Sequence, residues 1–214
     1  RVFMKKLKVI LIGAGNRGGV YTDVMAAMPE QFEVVAVAEP RDSRRERIQE
    51  IHKLPDNMCF TDYKPLLALG KIADIALIAT MDRDHFEPAM MAIDLGYDLM
   101  LEKPITPTPE QCIALTENAE KHGVRVVICT VLRYTPLFIK LKEIIDSGRI
   151  GKVMSINHEE CVEFVHQSHS FVRGNWGNSE RSSVMLLQKS CHDMDILQWL
   201  LGKKCKKVQS FGSL

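Results

Sequence analysis

Val9-Ile10-Leu11-Ile12-Gly13-Ala14-Gly15-Asn16-Arg17-Gly18 is the stretch that decides the fold. Its four apolar residues read as a strand covered on both faces, and they run straight into G-x-G-x-x-G. In that pattern Gly13 allows the tight turn, Gly15 lets a diphosphate approach the backbone, and Gly18 lets the next helix pack close to the strand. The helix that follows offers its N-terminal amides, around Asn16 and Arg17, to an anion. A glycine triplet alone is a weak signal, and a βα turn that binds nothing is its bland alternative. Here the context fits on three counts: a strand before, a helical pattern after, and an acid at the end of the next strand. That acid is Glu39 in Ala36-Val37-Ala38-Glu39-Pro40, 21 positions beyond Gly18. A carboxylate there accepts hydrogen bonds from adenosine ribose hydroxyls and repels an extra phosphate, so NAD(H) is the expected cofactor. Arg41 and Arg44 keep NADP(H) open as the less favoured choice.

Outward from this turn, short β-branched apolar runs alternate with amphipathic stretches. Strands are expected at Leu7–Ile12, Phe32–Ala38, Ile75–Thr80, Tyr97–Leu101 and Val124–Cys129. Helices are expected at Gly18–Met28, Ser43–His52, Asp84–Leu95 and Pro109–His122, with a short one around Tyr63–Leu69. Strand and helix in regular order predict an α/β fold with a doubly wound parallel sheet. After Cys129 the rhythm changes. Pro136–Asp146 reads as a helix, Val153–Val165 as extended chain, Asp193–Leu201 as a helix closed by Gly202, and Val208–Leu214 as a strand.

The chain has 214 residues, 46% apolar and 26% charged, with 28 basic against 27 acidic side chains. This composition excludes disorder, which needs low hydrophobicity and high net charge. No stretch approaches the roughly 18 apolar residues of a membrane span. The charge balance gives no reason to expect a nucleic-acid partner, and Lys203-Lys204-Cys205-Lys206-Lys207 reads as a solvated turn. Cysteines at 59, 112, 129, 161, 191 and 205 include no C-x-x-C pair, which suits a reducing, cytoplasmic setting. The length corresponds to one and a half ordinary domains. The expectation is a dinucleotide-binding domain over 1–150 and, over 151–214, the start of a second domain truncated at Leu214. Arg1–Phe3 reads as an upstream extension.

Leu101-Glu102-Lys103-Pro104 places a lysine at the carboxyl end of a strand, where ligands sit in open α/β sheets. A partly desolvated lysine there can polarise a hydroxyl or exchange its proton. A solvated loop lysine is the alternative.

The glycine turn, the AVAEP strand end, LIAT followed by His85, and GYDLMLEKPIT together resemble the Gfo/Idh/MocA oxidoreductases. Leu132-Arg133-Tyr134-Thr135-Pro136, Ser147–Val153 and Ser190-Cys191-His192-Asp193-Met194-Asp195 extend the likeness over nearly the whole chain. The resemblance implies a nicotinamide-dependent enzyme acting on a sugar or cyclic polyol, with Lys103 and His192 flanking the reacting carbon. It implies further that Thr80 and His85 line the cofactor and that Glu102 contacts its ribose. Substrate contacts are expected at Arg133, Tyr134, Trp176 and Gln188. The family continues into an open antiparallel sheet that builds oligomers, so a homo-oligomer is expected.

Three departures stand out. An acid that the family's dehydrogenases carry four residues before the histidine is Gln188 here, and a glycine two before it is Ser190. Glutamine can hydrogen-bond a hydroxyl but cannot take its proton. Ser182-Ser183 replaces a usual glycine pair. Lys103 and His192 then carry more of the proton transfer, with Asp195 expected to orient the imidazole. An NAD-dependent glycosidase of the same fold and a non-catalytic dinucleotide or sugar sensor are the alternative functions. His158, Cys161, His166 and His169 reach no convincing ligand spacing, and no metal is expected.

Overall fold

Residues 5–212 are described by the structure, a computed structural model. The Arg1–Phe3 extension and the last two residues of Val208–Leu214 lie outside them. Contacts divide the chain into two units. One holds the residues up to Cys129 together with Glu180–Ser183; the other holds Thr130–Ser179 and the residues from Val184 onward. The boundary expected near residue 150 falls inside the second unit.

The first unit is a six-stranded parallel sheet of order β3-β2-β1-β4-β5-β6. Its strands are β1 (Leu7–Ile12), β2 (Phe32–Ala38), β3 (Cys59–Phe60), β4 (Ile75–Ile78), β5 (Asp98–Leu101) and β6 (Val126–Ile128). Its helices are α1 (Asn16–Ala26), α2 (Asp42–His52), α3 (Tyr63–Leu67), α4 (Phe86–Asp94) and α5 (Pro109–His122). Side chains alternate across a strand, and β1 shows why its run is apolar throughout. Ile10 and Ile12 join Leu67, Ala92, Ile93 and Leu115 in one core cluster. Val9 and Leu11 join Met25 and Ile48 in another. Burying each such large side chain stabilises the fold by about 1.5–3 kcal/mol. Between β1 and β2 the register slips by one residue, so Val9 pairs with Val34 and Ile10 with Ala36. Thr108 caps α5 by accepting the Gln111 amide, Pro109 occupies its first turn, and Gly123 ends it in the left-handed region.

The second unit contains α6 (Pro136–Asp146), the single helical turn α7 (Phe164–His166) continuing into a π-type segment (Gln167–Val172), and α8 (Met185–Leu201). Among the described residues it holds no strand. The strand expected at Val208–Leu214 does not form over its described part, and residues 153–163 of the run expected to be extended carry no regular element, with a helical turn starting at Phe164. An alternating pattern needs a neighbouring strand to accept its backbone groups, and here Val208 and Phe211 stay solvent-exposed. A second, antiparallel sheet, the surface expected to carry oligomer contacts, is therefore not present among these residues. All six cysteines are free thiols. Among the described residues no helix is long and apolar enough to cross a membrane.

Candidate functional site

The glycine turn joins the end of β1 to α1, and its three glycines have different surroundings. Gly13 has φ +90°, and a Cβ there would lie 2.7 Å from the Ala79 carbonyl. A Cβ on Gly18 would fall 2.1 Å from the Gly13 carbonyl, so only glycine lets α1 pack this close. Gly15 differs from both: a Cβ there would meet only the Arg44 guanidinium, 3.6 Å away. Gly15 is also the N-cap of α1, with no side chain capping it and no acid in the first turn. Asn16 and Arg17 are exposed beside it. The first amides and positive dipole end of α1 are thus left to an external anion.

Glu39, at the end of β2, is buried at 4% exposure. Its Oε2 accepts the Ala14 amide at 2.8 Å and its Oε1 the Arg41 amide at 3.0 Å. Each carboxylate oxygen retains a second lone pair. Arg45 donates to the Glu39 carbonyl and to Asp42, whereas the Arg44 guanidinium faces the turn.

At the carboxyl end of β5, Glu102 is buried and takes two hydrogen bonds. Oε1 accepts the Tyr21 hydroxyl at 2.5 Å, and Oε2 accepts the Lys103 amide at 2.8 Å. Burial, with Glu102 adding to it, pushes the Tyr21 hydroxyl far up; burial pushes the Cys129 thiol up to about 12. Lys103 is half-buried and precedes a cis proline. His85 is almost fully buried between backbone carbonyls, with Nδ1 2.9 Å from the Pro104 oxygen and Nε2 3.3 Å from the Thr80 oxygen. Its ring is thus used to brace the Lys103-Pro104 turn. Thr80 donates to the Asp84 carbonyl at 3.0 Å.

Ser182 and Ser183 belong to the same unit. Ser183 donates to the buried Asp82 carboxylate, and Arg83 donates to the Ser182 carbonyl at 2.9 Å. A glycine pair would lack the first of these bonds.

In the second unit Arg133 grips Asp195 with two guanidinium donors, Nε at 2.6 Å and Nη2 shorter still. This bonding raises the Arg133 pKa further. His158 Nε2 lies 2.8 Å from the Asp193 carboxylate on α8. Glu160 completes a group whose potential ligand atoms lie within 4.8 Å of one another, but Lys189 ion-pairs with Glu160 at 2.8 Å. His192 and Gln188 are half-buried on α8, and Tyr134 is exposed. Trp176 packs toward the buried Phe171, with ring centroids 6.4 Å apart. Tyr21 escaped sequence reasoning altogether; the sequence shows only an aromatic on α1, and its partner lies 81 positions away.

The chain is similar to inositol 2-dehydrogenase of Corynebacterium glutamicum, 24% identical over 206 residues that cover 96% of this chain and 57% of that protein. It is 35% identical over 125 residues to D-xylose 1-dehydrogenase (NADP(+)) of Hypocrea jecorina, covering 58% of this chain and 32% of that one. Its fold superposes with a TM-score of 0.79 on scyllo-inositol dehydrogenase from Lactobacillus casei, solved with bound NAD(H) and scyllo-inositol, at 20% identity over 94% of this chain and 57% of that one. The chain thus spans well under two thirds of the length of these relatives. Residues 7–130 match the oxidoreductase family with an NAD-binding Rossmann fold, and residues 138–214 match the C-terminal domain of the same family. With more than half of its length matched, the chain belongs to the Gfo/Idh/MocA oxidoreductase family.

Proposed function

We propose that the chain carries the dinucleotide-binding part of an NAD(H)-dependent oxidoreductase acting on a sugar or cyclic polyol, and that Lys103 and His192 handle the substrate proton. The observation that carries this reading is the open side of Gly15, at an uncapped helix N-terminus beside the buried Glu39. A diphosphate fits that arrangement of amides, and the lone pairs Glu39 retains suit ribose hydroxyls. Gly13, Asn16, Arg17 and Gly18 shape the diphosphate turn. Glu102, Thr80 and His85 set the edge of the cofactor site, His85 by holding backbone.

The nicotinamide, when bound, supplies or accepts the hydride at the substrate carbon. Lys103 stands at the carboxyl end of β5, and its side-chain nitrogen can hold the substrate oxygen, taking its proton as the amine and returning it as the ammonium. His192 is the second group able to exchange that proton. Gln188, which cannot take a proton, hydrogen-bonds a substrate hydroxyl, and Arg133, Tyr134 and Trp176 contribute to the substrate side. The names of the relatives, inositol and xylose dehydrogenases, support a polyhydroxylated substrate.

The test is nicotinamide absorbance with the protein incubated with NAD(P)+ and a panel of inositols, xylose and related sugars. NADH formation with one of them, lost in Lys103→Ala while NADH still binds, is the expected result. Glycoside cleavage without net NADH would replace the proposal by a glycosidase. Cofactor binding without turnover of any panel member would replace it by a sensor.

Arg44 favours a second reading of the cofactor. Its guanidinium faces the glycine turn and has no carboxylate partner among the described residues. A 2′-phosphate would find a cation there, so NADP(H) remains a usable alternative to NAD(H).

A further inference from the structure

Lys103 reaches its position through a chain of hydrogen bonds that begins on the glycine-turn helix. The chain runs from Tyr21 Oη to Glu102 Oε1 and from Lys103 N to Glu102 Oε2, at 2.5 and 2.8 Å. Glu102 is buried at 6% exposure, so its charge needs both donors: a buried carboxylate deprived of one is strongly destabilised in its place. Tyr21 sits on the second turn of α1, the helix whose N-terminus is the Gly15 cap. Glu102 follows β5 immediately, and its own amide is tied to the Ile78 carbonyl of β4. The backbone of Lys103 is thereby held from below by β4, from the side by α1, and beyond Pro104 by His85. Of these three supports only Tyr21 comes from the helix that faces the dinucleotide.

We propose that Tyr21 is a positioning residue for Lys103, linking the dinucleotide-facing helix to the Glu-Lys-Pro turn through the Glu102 carboxylate. The proposal rests on the dehydrogenase reading of Lys103 given above. A ligand that settles against α1 would then steady the lysine through Tyr21 as well as through direct contact. Removing the hydroxyl should loosen the lysine's placement and leave the glycine turn, and hence dinucleotide affinity, as it was.

Two measurements on Tyr21→Phe test it, one of which needs no turnover. In the first, kcat and NADH affinity are compared using whichever inositol or pentose the wild-type protein oxidises. A kcat lowered about tenfold, the equivalent of one hydrogen bond to a charged group, with NADH affinity within about twofold of wild type, is expected. An unchanged kcat, or kcat and affinity falling together, would overturn the proposal. In the second, trace acetylation by acetic anhydride is quantified at Lys103 by mass spectrometry relative to the exposed Lys53. The ratio is expected to rise by about threefold or more as the anchored turn loosens, less than one hydrogen bond is worth. A ratio equal to wild type overturns the proposal. If the wild-type protein turns over no member of the panel, the dehydrogenase reading fails by itself and the labelling ratio alone decides the role of Tyr21. If Tyr21→Phe does not fold, Glu102→Ala removes the same link at its other end, because no side-chain acceptor then remains for either the Tyr21 hydroxyl or the Lys103 amide. The same rise in Lys103 labelling is then expected, and the same null result overturns the proposal.

Discussion

The Glu39 carboxylate accepts the amide of Ala14 across the glycine turn, at 2.8 Å and out of solvent. An acid expected to serve the ribose also holds the turn in shape from within. Glu39→Ala strands the buried Ala14 amide, and an unmet buried donor costs about 1–3 kcal/mol. At roughly 2–4 °C per kcal/mol for a chain of this size, a melting-temperature loss of several degrees is expected by calorimetry. NADH affinity, measured by its fluorescence, should fall in the same variant.

Arg44 and Arg45 lie side by side in sequence and have different duties. Arg45 is committed to the Glu39 carbonyl and Asp42, whereas Arg44 overlooks Gly15. Arg44→Ala should weaken NADPH binding about tenfold, or about 1.4 kcal/mol, and NADH binding far less. Titration calorimetry with both nucleotides checks this. Equal losses for the two would place Arg44 on the diphosphate instead.

Arg133 and Asp195 form a two-pronged pair whose planar fork a lysine cannot reproduce. A double-mutant cycle on Arg133→Ala and Asp195→Asn, followed by urea unfolding, should return a coupling of about 1–2 kcal/mol. Arg133→Lys should recover less than half of it.

Asp98 at the start of β5 is held below the usual carboxylate range, first by the Arg125 side chain and then by the Arg125 amide. A lowered folded-state value means that the unfolded chain takes up the proton first as pH falls. The contribution of Asp98 is therefore complete above its unfolded value of about 3.9 and lost as pH drops through its lower folded value. Thermal melts of wild type and Asp98→Asn should differ by a few degrees at neutral pH, about 2–4 °C for roughly 1 kcal/mol, and converge in strong acid.

The sheet was legible because its signals are local. Leu7–Ile12, Phe32–Ala38 and Pro109–His122 have the bounds read from their patterns, and both strands owe their apolar runs to helices on two faces. The two residues of β3 are too short to leave a period. In the opposite sense, α8 begins at Met185, eight residues before the expected start at Asp193. Val208–Leu214 carries a strand's composition without a partner strand among the described residues, and composition cannot supply one.

At the site, the glycine pattern located the turn, since Gly13 and Gly18 act through their own backbones. What spacing could not convey was which side chains are already engaged. His85 is turned to carbonyls, Asp195 to Arg133, and Glu102 to Tyr21 on a helix 81 positions earlier. Those engagements are products of packing, and no local pattern announces them.

The short run Glu180–Ser183 makes the first unit discontinuous in sequence. The polypeptide leaves that unit after Cys129, revisits it for four residues, and departs again at Val184. Cutting the chain at residue 130 would preserve every strand of the sheet, yet strip Asp82 of the Ser183 hydroxyl and Arg83 of the Ser182 carbonyl. The turn after β4 is thus finished by residues translated some hundred positions later. An excised nucleotide-binding half would carry an open seam where the intact chain is stitched to itself.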